Sequence, residues 1–295
     1  MLIVKIQGGL GNQMFEYALA KYLEAAGKNV KIYLGHYSDS YKGSEDAIHN
    51  GYELQHIFTP TISVASKKEV LRYARVNRDL LSRALNKVLG TRKTHIRQED
   101  LNKKYCYFPQ LKDLKNAYLD GYWNSFLYAD EVKSSIMREF KFKNKLSDRN
   151  VMVAKHIKDT ISISLHIRHG DYLKLQDRYA IPTVEYYISA IAYFQKRFKD
   201  ARFFCFSDDI EWCKKYIDID NIEFIDWNTG RDSYVDMQLM SLCKHNIVAN
   251  STFSMWAAWL NTYEEKIVIR PEAVFVDADN EKIDMWPKEW ISLQK

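Results

Sequence analysis

Ser164-Leu-His-Ile-Arg-His-Gly-Asp-Tyr172 closes an alternating, strand-like stretch and sets five polar or ionisable groups directly behind it. In an α/β protein the crevice outside the carboxyl end of a strand is where a ligand sits. A His, a planar guanidinium fork and a carboxylate within six residues suit a phosphate-bearing substrate better than a packed core. Strand-like runs recur at 161–167, 202–206, 222–226, 246–250 and 266–270, with helical patterns between them at 183–199, 209–216, 232–243 and 252–262. That alternation predicts a parallel sheet covered on both faces.

The amino-terminal half is less regular. Leu2–Ile6 reads as a buried strand, followed by Gly8-Gly-Leu-Gly-Asn-Gln13 and a helical pattern from Met14 to Ala26 that Gly27 closes. Val30–Leu34 and Ala117–Leu119 read as strands, and Ala129–Phe140 as a helix. Residues 36–66 read as a long loop with short elements, and 67–89 carry the spacing of an amphipathic helix. The polar run 141–150 is the expected domain boundary.

The 295 residues allow one large domain or two ordinary ones, and 46% hydrophobic with 27% charged residues is ordinary for a globular protein. No apolar window is long enough to span a membrane. A strand starting right after Met1 leaves no room for a signal peptide, and the four scattered cysteines suit reduced thiols, so a cytoplasmic protein is expected. The net charge of +5 is uneven: residues 67–104 hold twelve Lys or Arg against four Asp or Glu, which is +8, so the remainder sums to −3.

Three strand ends carry chemistry: His166 to Asp171, Ser207-Asp208-Asp209, and Asn250-Ser251-Thr252-Phe253-Ser254 at a helix start. Ser251, Thr252 and Ser254 with free helix N–H groups make an anion site, or they simply cap the helix. Arg168 can grip a phosphate with two parallel bonds, or pair with Asp171 to hold its loop. Asp208 can accept two bonds from a base with adjacent N–H donors, as guanine has, or cap the following helix. Gly9-Leu-Gly11-Asn12-Gln13 allows close approach of a ligand to the backbone, or is a tight turn; it lacks the third glycine of a dinucleotide fingerprint and the Lys of a P-loop. The Asp218/Asp220 and Asp277/Asp279 pairs read as chance surface acids, and no metal is expected.

Taken together, His166-Ile-Arg-His-Gly-Asp-Tyr172, the Gly8–Gln13 motif, Phe206-Ser-Asp-Asp209, Asp236-Met-Gln-Leu-Met-Ser-Leu-Cys-Lys-His-Asn246 and Asn250-Ser-Thr-Phe-Ser-Met-Trp-Ala-Ala-Trp-Leu260 resemble the motifs of bacterial α1,2-fucosyltransferases of glycosyltransferase family 11. The resemblance runs from about residue 3 to residue 290. It implies an α/β, GT-B-like fold of two facing Rossmann-type domains, residues 1–145 on the acceptor side and 146–295 binding the GDP-sugar, with the last residues packing back on the first domain. It implies metal-independent, inverting transfer of L-fucose from GDP-β-L-fucose to the 2-hydroxyl of a galactose in an O-antigen or similar glycan, with no cofactor.

By motif, Arg168 and His166 would serve catalysis. Gly9, Gly11, Asn12, Arg168, His169, Asp171, Asp208, Ser251, Thr252, Phe253 and Ser254 would bind the donor, and Tyr122 and Trp123 would meet the acceptor. The general base is open between Glu16, Asp39 and Glu45. His169 stands where the motif usually has a second Arg, so an imidazole replaces an always-charged planar fork. The alternatives are a transferase for another GDP-sugar, or a binding protein that has lost catalysis. The basic segment 67–104 reads as a solvated face or as a peripheral membrane contact on the inner face of a plasma membrane; nucleic acid is disfavoured because the second half is not basic. The sequence leaves the oligomeric state undecided.

Overall fold

The computed structural model describes residues 1–37, 50–75, 90, 92–101, 105–170, 176–276 and 283–293. These fall into two compact units. The first takes the described residues up to 141, except Asn50, together with 283–287; the second takes Asn50, 142–276 and 288–293.

The first unit is built on four parallel strands, β1 (Leu2–Lys5), β2 (Val30–Tyr33), β3 (His95–Arg97) and β4 (Ala117–Asp120), in the order β2-β1-β4-β3. Helix α1 (Leu10–Ala25) joins β1 to β2. It begins four residues before its apolar periodicity does. Gly9 is its N-cap, and Leu10 to Gln13 form its first turn rather than a loop. It stops where expected: Gly27 adopts φ +76°, and the Lys28 N–H reaches back to the Leu23 carbonyl. Short helices α2 (Leu54–Ile57) and α3 (Lys67–Val70) follow, then α4 (Phe126–Glu131) and α5 (Lys133–Glu139) in place of one helix over 129–140. Most of the helical pattern at 67–89 lies outside the described residues. Phe15 of α1 meets Phe126 of α4 at 4.7 Å, and α1 is buried through three turns.

The second unit opens with α6 (Asp148–Asp159), over a stretch whose start reads in the sequence as a linker. Six parallel strands follow: β5 (Ile161–Ile167), β6 (Ala201–Ser207), β7 (Ile222–Ile225), β8 (His245–Ile247), β9 (Val268–Pro271) and β10 (Ile291–Leu293), in the order β10-β9-β8-β5-β6-β7. Helices α7 (Val184–Arg197), α8 (Ile210–Tyr216), α9 (Tyr234–Leu242) and α10 (Thr252–Leu260) connect them. Ile163, Leu165, Phe203, Cys205 and Ile247 of the sheet pack with Tyr187, Ile191 and Phe194 of α7 in one buried cluster. From β5 the chain runs outward to β6 and β7, then returns to the other side of β5 for β8, β9 and β10. The order therefore reverses between β5 and β8, and the carboxyl ends of those two strands flank the switch point.

One buried carboxyl in this unit gives the fold a pH dependence. Asp236, in the first turn of α9, accepts a 2.7 Å bond from the Asn228 amide, and burial pushes its carboxyl up to about 7. The folded chain thus holds a proton that the unfolded chain releases near pH 4. The stabilisation is full below that pH and is lost as pH rises through about 7, at no more than about 1.4 kcal/mol per pH unit. Asp236→Asn, which mimics the neutral acid, is expected to flatten the fall in melting temperature between pH 5 and 8.

Candidate active site

The last residues of β5 lead straight into the switch point. Arg168 follows the strand, and its Nε lies 3.4 Å from Asp208 Oδ2 at the end of β6. The His169 N–H donates to Asp208 Oδ1 at 3.0 Å. A Cβ on Gly170 would stand 2.9 Å from Asp208 Oδ2 and would push that carboxylate aside. Burial alone would raise the Asp208 carboxyl, but the Arg168 charge and the N–H groups of His169 and Gly170 outweigh it and hold it below its ordinary value. Asp208 is therefore an ionised anchor for the Arg168 loop. Its expected role toward a guanine edge competes with these bonds. Capping falls instead on its neighbour: Asp209 Oδ1 accepts the Trp212 N–H at 3.1 Å and starts α8. Asp171, the other partner expected for Arg168, lies outside the described residues.

His169 is held from two sides. Its Nδ1 is 2.9 Å from Asp209 Oδ2, and its ring stacks on Trp212 at 4.4 Å and 24°. Trp212 has no mark in the sequence, because an aromatic three residues into a helix carries no signal of what it stacks on.

His166 is buried, with its ring 5.9 Å from that of Phe253, and its Nδ1 has no hydrogen-bond partner. Burial, with the Arg168 charge beside it, drives its pKa well below the ordinary imidazole value. It is a neutral ring at physiological pH. The His166–Phe253 contact also brings the first turn of α10 beside the end of β5.

At that turn Ser251 occupies the N-cap position without a side-chain capping bond. Ser254 is an internal strut, its Oγ accepting the Ala249 N–H at 3.2 Å and donating to the Ser251 carbonyl at 3.3 Å. The Asn250 amide donates to the carbonyls of Ala180 and Val274. Thr252 and Phe253 are half-buried. A helix start has N–H groups with no partner inside the helix and the positive end of its dipole. With Arg168 on the adjacent strand end, the switch point has the chemistry of an anion site.

The first unit places its motif at the carboxyl end of β1. Gly8 adopts φ +72°, and a Cβ there would meet Asn12 Nδ2 at 2.8 Å and Tyr122 Cε1 at 3.3 Å. The Gly8 carbonyl accepts from Tyr37 Oη at 2.6 Å and Gln13 Nε2 at 3.0 Å. Gln13 also donates to Gly51 O and accepts the Glu53 N–H, tying residues 51–53 to α1. Gly9 is the N-cap and Gly11 is buried in the first helical turn, so of the candidate donor contacts there Asn12 is the half-buried side chain beside the turn.

Two expectations are corrected here. Trp123 is wholly buried, with φ +51°, edge-on to Phe108 at 5.9 Å. Gln98 Oε1 accepts both the Tyr122 and Trp123 N–H groups, fixing the turn. Trp123 is thus a core residue with no face open to a ligand, whereas Tyr122 is 36% exposed.

Glu16 is also fully buried. Its Oε2 accepts the Gln7 N–H at 2.7 Å, and Oε1 has no hydrogen-bond partner. Burial raises its pKa well above the usual value despite the Gln7 bond and the Lys5 charge, and Lys5 itself pairs with Asp120 at 2.7 Å. A carboxyl sealed from the surface, with one oxygen taken by the Gln7 N–H, cannot reach an acceptor hydroxyl, so Glu16 does not fit the base. Glu16→Gln is expected to keep both activity and melting temperature. Glu16→Ala is expected to lose about 1–3 kcal/mol by stranding the Gln7 N–H; thermal melts of the two variants check this. Asp39 and Glu45 lie outside the described residues.

The exposed Asp218 and Asp220 precede β7, at the amino end of the sheet and away from the switch point; Asp277 and Asp279 lie outside the described residues. Among the described residues no three His, Cys, Asp or Glu gather as a metal site.

Two parallel-sheet units, the second with a switch point between β5 and β8, place the chain in the GT-B class of α/β fold. The chain belongs to glycosyl transferase family 11, whose profile matches residues 1–294. It is 34% identical to an α-1,2-colitosyltransferase of Escherichia coli, with 100% of this chain and 99% of that one covered. It is 31% identical to the O-antigen biosynthesis glycosyltransferase WbnK of Escherichia coli, covering 98% and 99%. Human galactoside α-(1,2)-fucosyltransferase 1 is 25% identical over 50% of this chain and 44% of that one. The crystal structure of fucosyltransferase NodZ from Bradyrhizobium superposes with a TM-score of 0.50 at 15% identity, over 87% of this chain and 91% of that one.

Proposed function

We propose that this glycosyltransferase moves L-fucose, from a GDP-linked donor, to the 2-hydroxyl of a galactose in a cell-surface glycan, with inversion and without a metal. The observation that carries the reading is Arg168, fixed by Asp208 at the switch point beside the first turn of α10. Breaking a sugar–diphosphate bond puts negative charge on the departing GDP and positive charge on the sugar. A guanidinium and helix N–H groups already in position stabilise that charge without reorganising, and a fixed cation can stand in for a metal ion. Neutral His166 adds no competing charge beside the sugar. It fills space against Phe253 and keeps water away.

A second donor has specific support. One of the two Escherichia coli relatives matched over 99% of its length bears the name of a colitosyltransferase, and colitose is L-fucose without its 3-hydroxyl. The two donors separate in one assay: GDP release in EDTA, with lactose as acceptor, from GDP-L-fucose and from GDP-L-colitose. Lactose-dependent release from the fucose donor supports the reading. Release from the colitose donor alone replaces the sugar and leaves the mechanism. A requirement for added Mg²⁺ or Mn²⁺ overturns the metal-free part, and GDP binding without release from either donor marks a binding protein.

A further inference from the structure

We propose that the first unit docks on an anionic lipid bilayer through a cationic face built from residues 64–75, 90, 92 and 93. In sequence these cations are spread over 27 positions, and the fold gathers them. The Arg75 guanidinium donates to the Gly90 carbonyl at 3.1 Å, that of Arg92 to the Arg72 carbonyl at 3.0 Å, and Thr94 Oγ1 to the Tyr73 carbonyl. Val70 and Ala74 turn inward onto Ile3 and Tyr118, which leaves the polar side of the segment outward.

Lys67, Lys68, Arg72, Arg92 and Lys93 are exposed and Arg75 is half-buried. The acid among them, Glu69, is already taken by Lys31 at 2.6 Å and by the cap of α3. Arg97, next along, is spent on Glu99 and Asp100 and takes no part. Beside the lysines Val64 is 51% exposed, an apolar side chain at the rim of a cationic field. Cations with an adjoining apolar residue fit a surface that is both anionic and oily, which a phospholipid headgroup layer is and a nucleic acid is not. No helix among the described residues is long and apolar enough to cross a membrane, so the contact is peripheral.

The test is flotation of the full chain with vesicles of phosphatidylcholine and phosphatidylglycerol, against phosphatidylcholine alone, at low and high salt. Binding is expected only with phosphatidylglycerol and is expected to fall at high salt, where the Debye length shrinks to a few ångströms. Changing Lys67, Lys68 and Lys93 together to Gln is expected to lower the partition coefficient about 100-fold, from about fivefold per charge. Those side chains carry no core packing, so an unchanged melting temperature shows the loss is not unfolding. Val64→Ser is expected to weaken binding at fixed net charge. Equal binding to both vesicle types, indifference to the triple change, or tighter binding to single-stranded RNA than to the anionic vesicles overturns the proposal.

Discussion

Replacing Arg168 by alanine is expected to lower kcat/KM for the GDP-linked donor by about 10²–10³-fold, the range found when one preorganised donor to a developing anion is removed. Stability should hardly move. The Arg168 and Asp208 side chains are 29% and 22% exposed, so solvent screens the pair and its loss costs no more than about 1 kcal/mol. Arg168→Lys keeps the charge but not the planar fork, and is expected to recover only part of the rate. Asp208→Asn separates anchoring from charge: the guanidinium stays, its tether weakens, and kcat should fall more than the melting temperature does. Steady-state GDP release with matched thermal melts reads all three. A rate within tenfold of wild type for Arg168→Ala would remove the switch-point cation from the chemistry.

This second unit was the legible part of the chain. From 161 to 271 the apolar runs alternate regularly, and β5, β6, β8 and β9 lie close to where their residues predict. What escaped was short or paired late. β3 and β10 are three-residue edge strands whose residues are mostly half-buried, too short for alternation to register. α6 buries Val153, Ala154 and Ile157 behind a polar first turn, a stripe too thin to separate from a linker. The start of α1 was hidden by Gly9 and Gly11, which argue against helix on propensity; packing against the sheet and α4 overrides them. At the site, the motif residues were readable as types, but their partners were not. Which of two adjacent aspartates caps a helix and which holds an arginine is decided by tertiary contacts at the end of β6. Likewise Gln98 carries no mark in the sequence of fixing a turn 24 residues away.

Trp123→Ala is expected to be the most destabilising single change in the first unit, at about 3–5 kcal/mol. The indole is fully buried, edge-on to Phe108, in a turn held by Gln98. Its Nε1 has no hydrogen-bond partner, so no such bond is lost with it; the cost is the cavity. A lower denaturant midpoint, with an unchanged acceptor KM in the enzyme that remains folded, is the expected result. The neighbouring Tyr122→Ala is expected to do the reverse, raising the acceptor KM at nearly constant stability. A changed KM with unchanged stability for Trp123→Ala would return that residue to the acceptor surface.

The reversal of strand order between β5 and β8 has a bearing on how such an enzyme diversifies. The groups of the proposed anion site hang on backbone beyond the strands: Arg168 to Gly170 after β5, with their anchor Asp208 after β6, and Ser251 to Phe253 after β8. The interlocked interior of Ile163, Leu165, Phe203 and Ile247 lies behind them. On the proposed reading, donor recognition can be rewritten by exchanging segments at one rim, at little thermodynamic risk to the body of the unit. Chimaeras that graft the rim of a relative with another donor preference onto this sheet should inherit the graft's donor and the host's melting temperature.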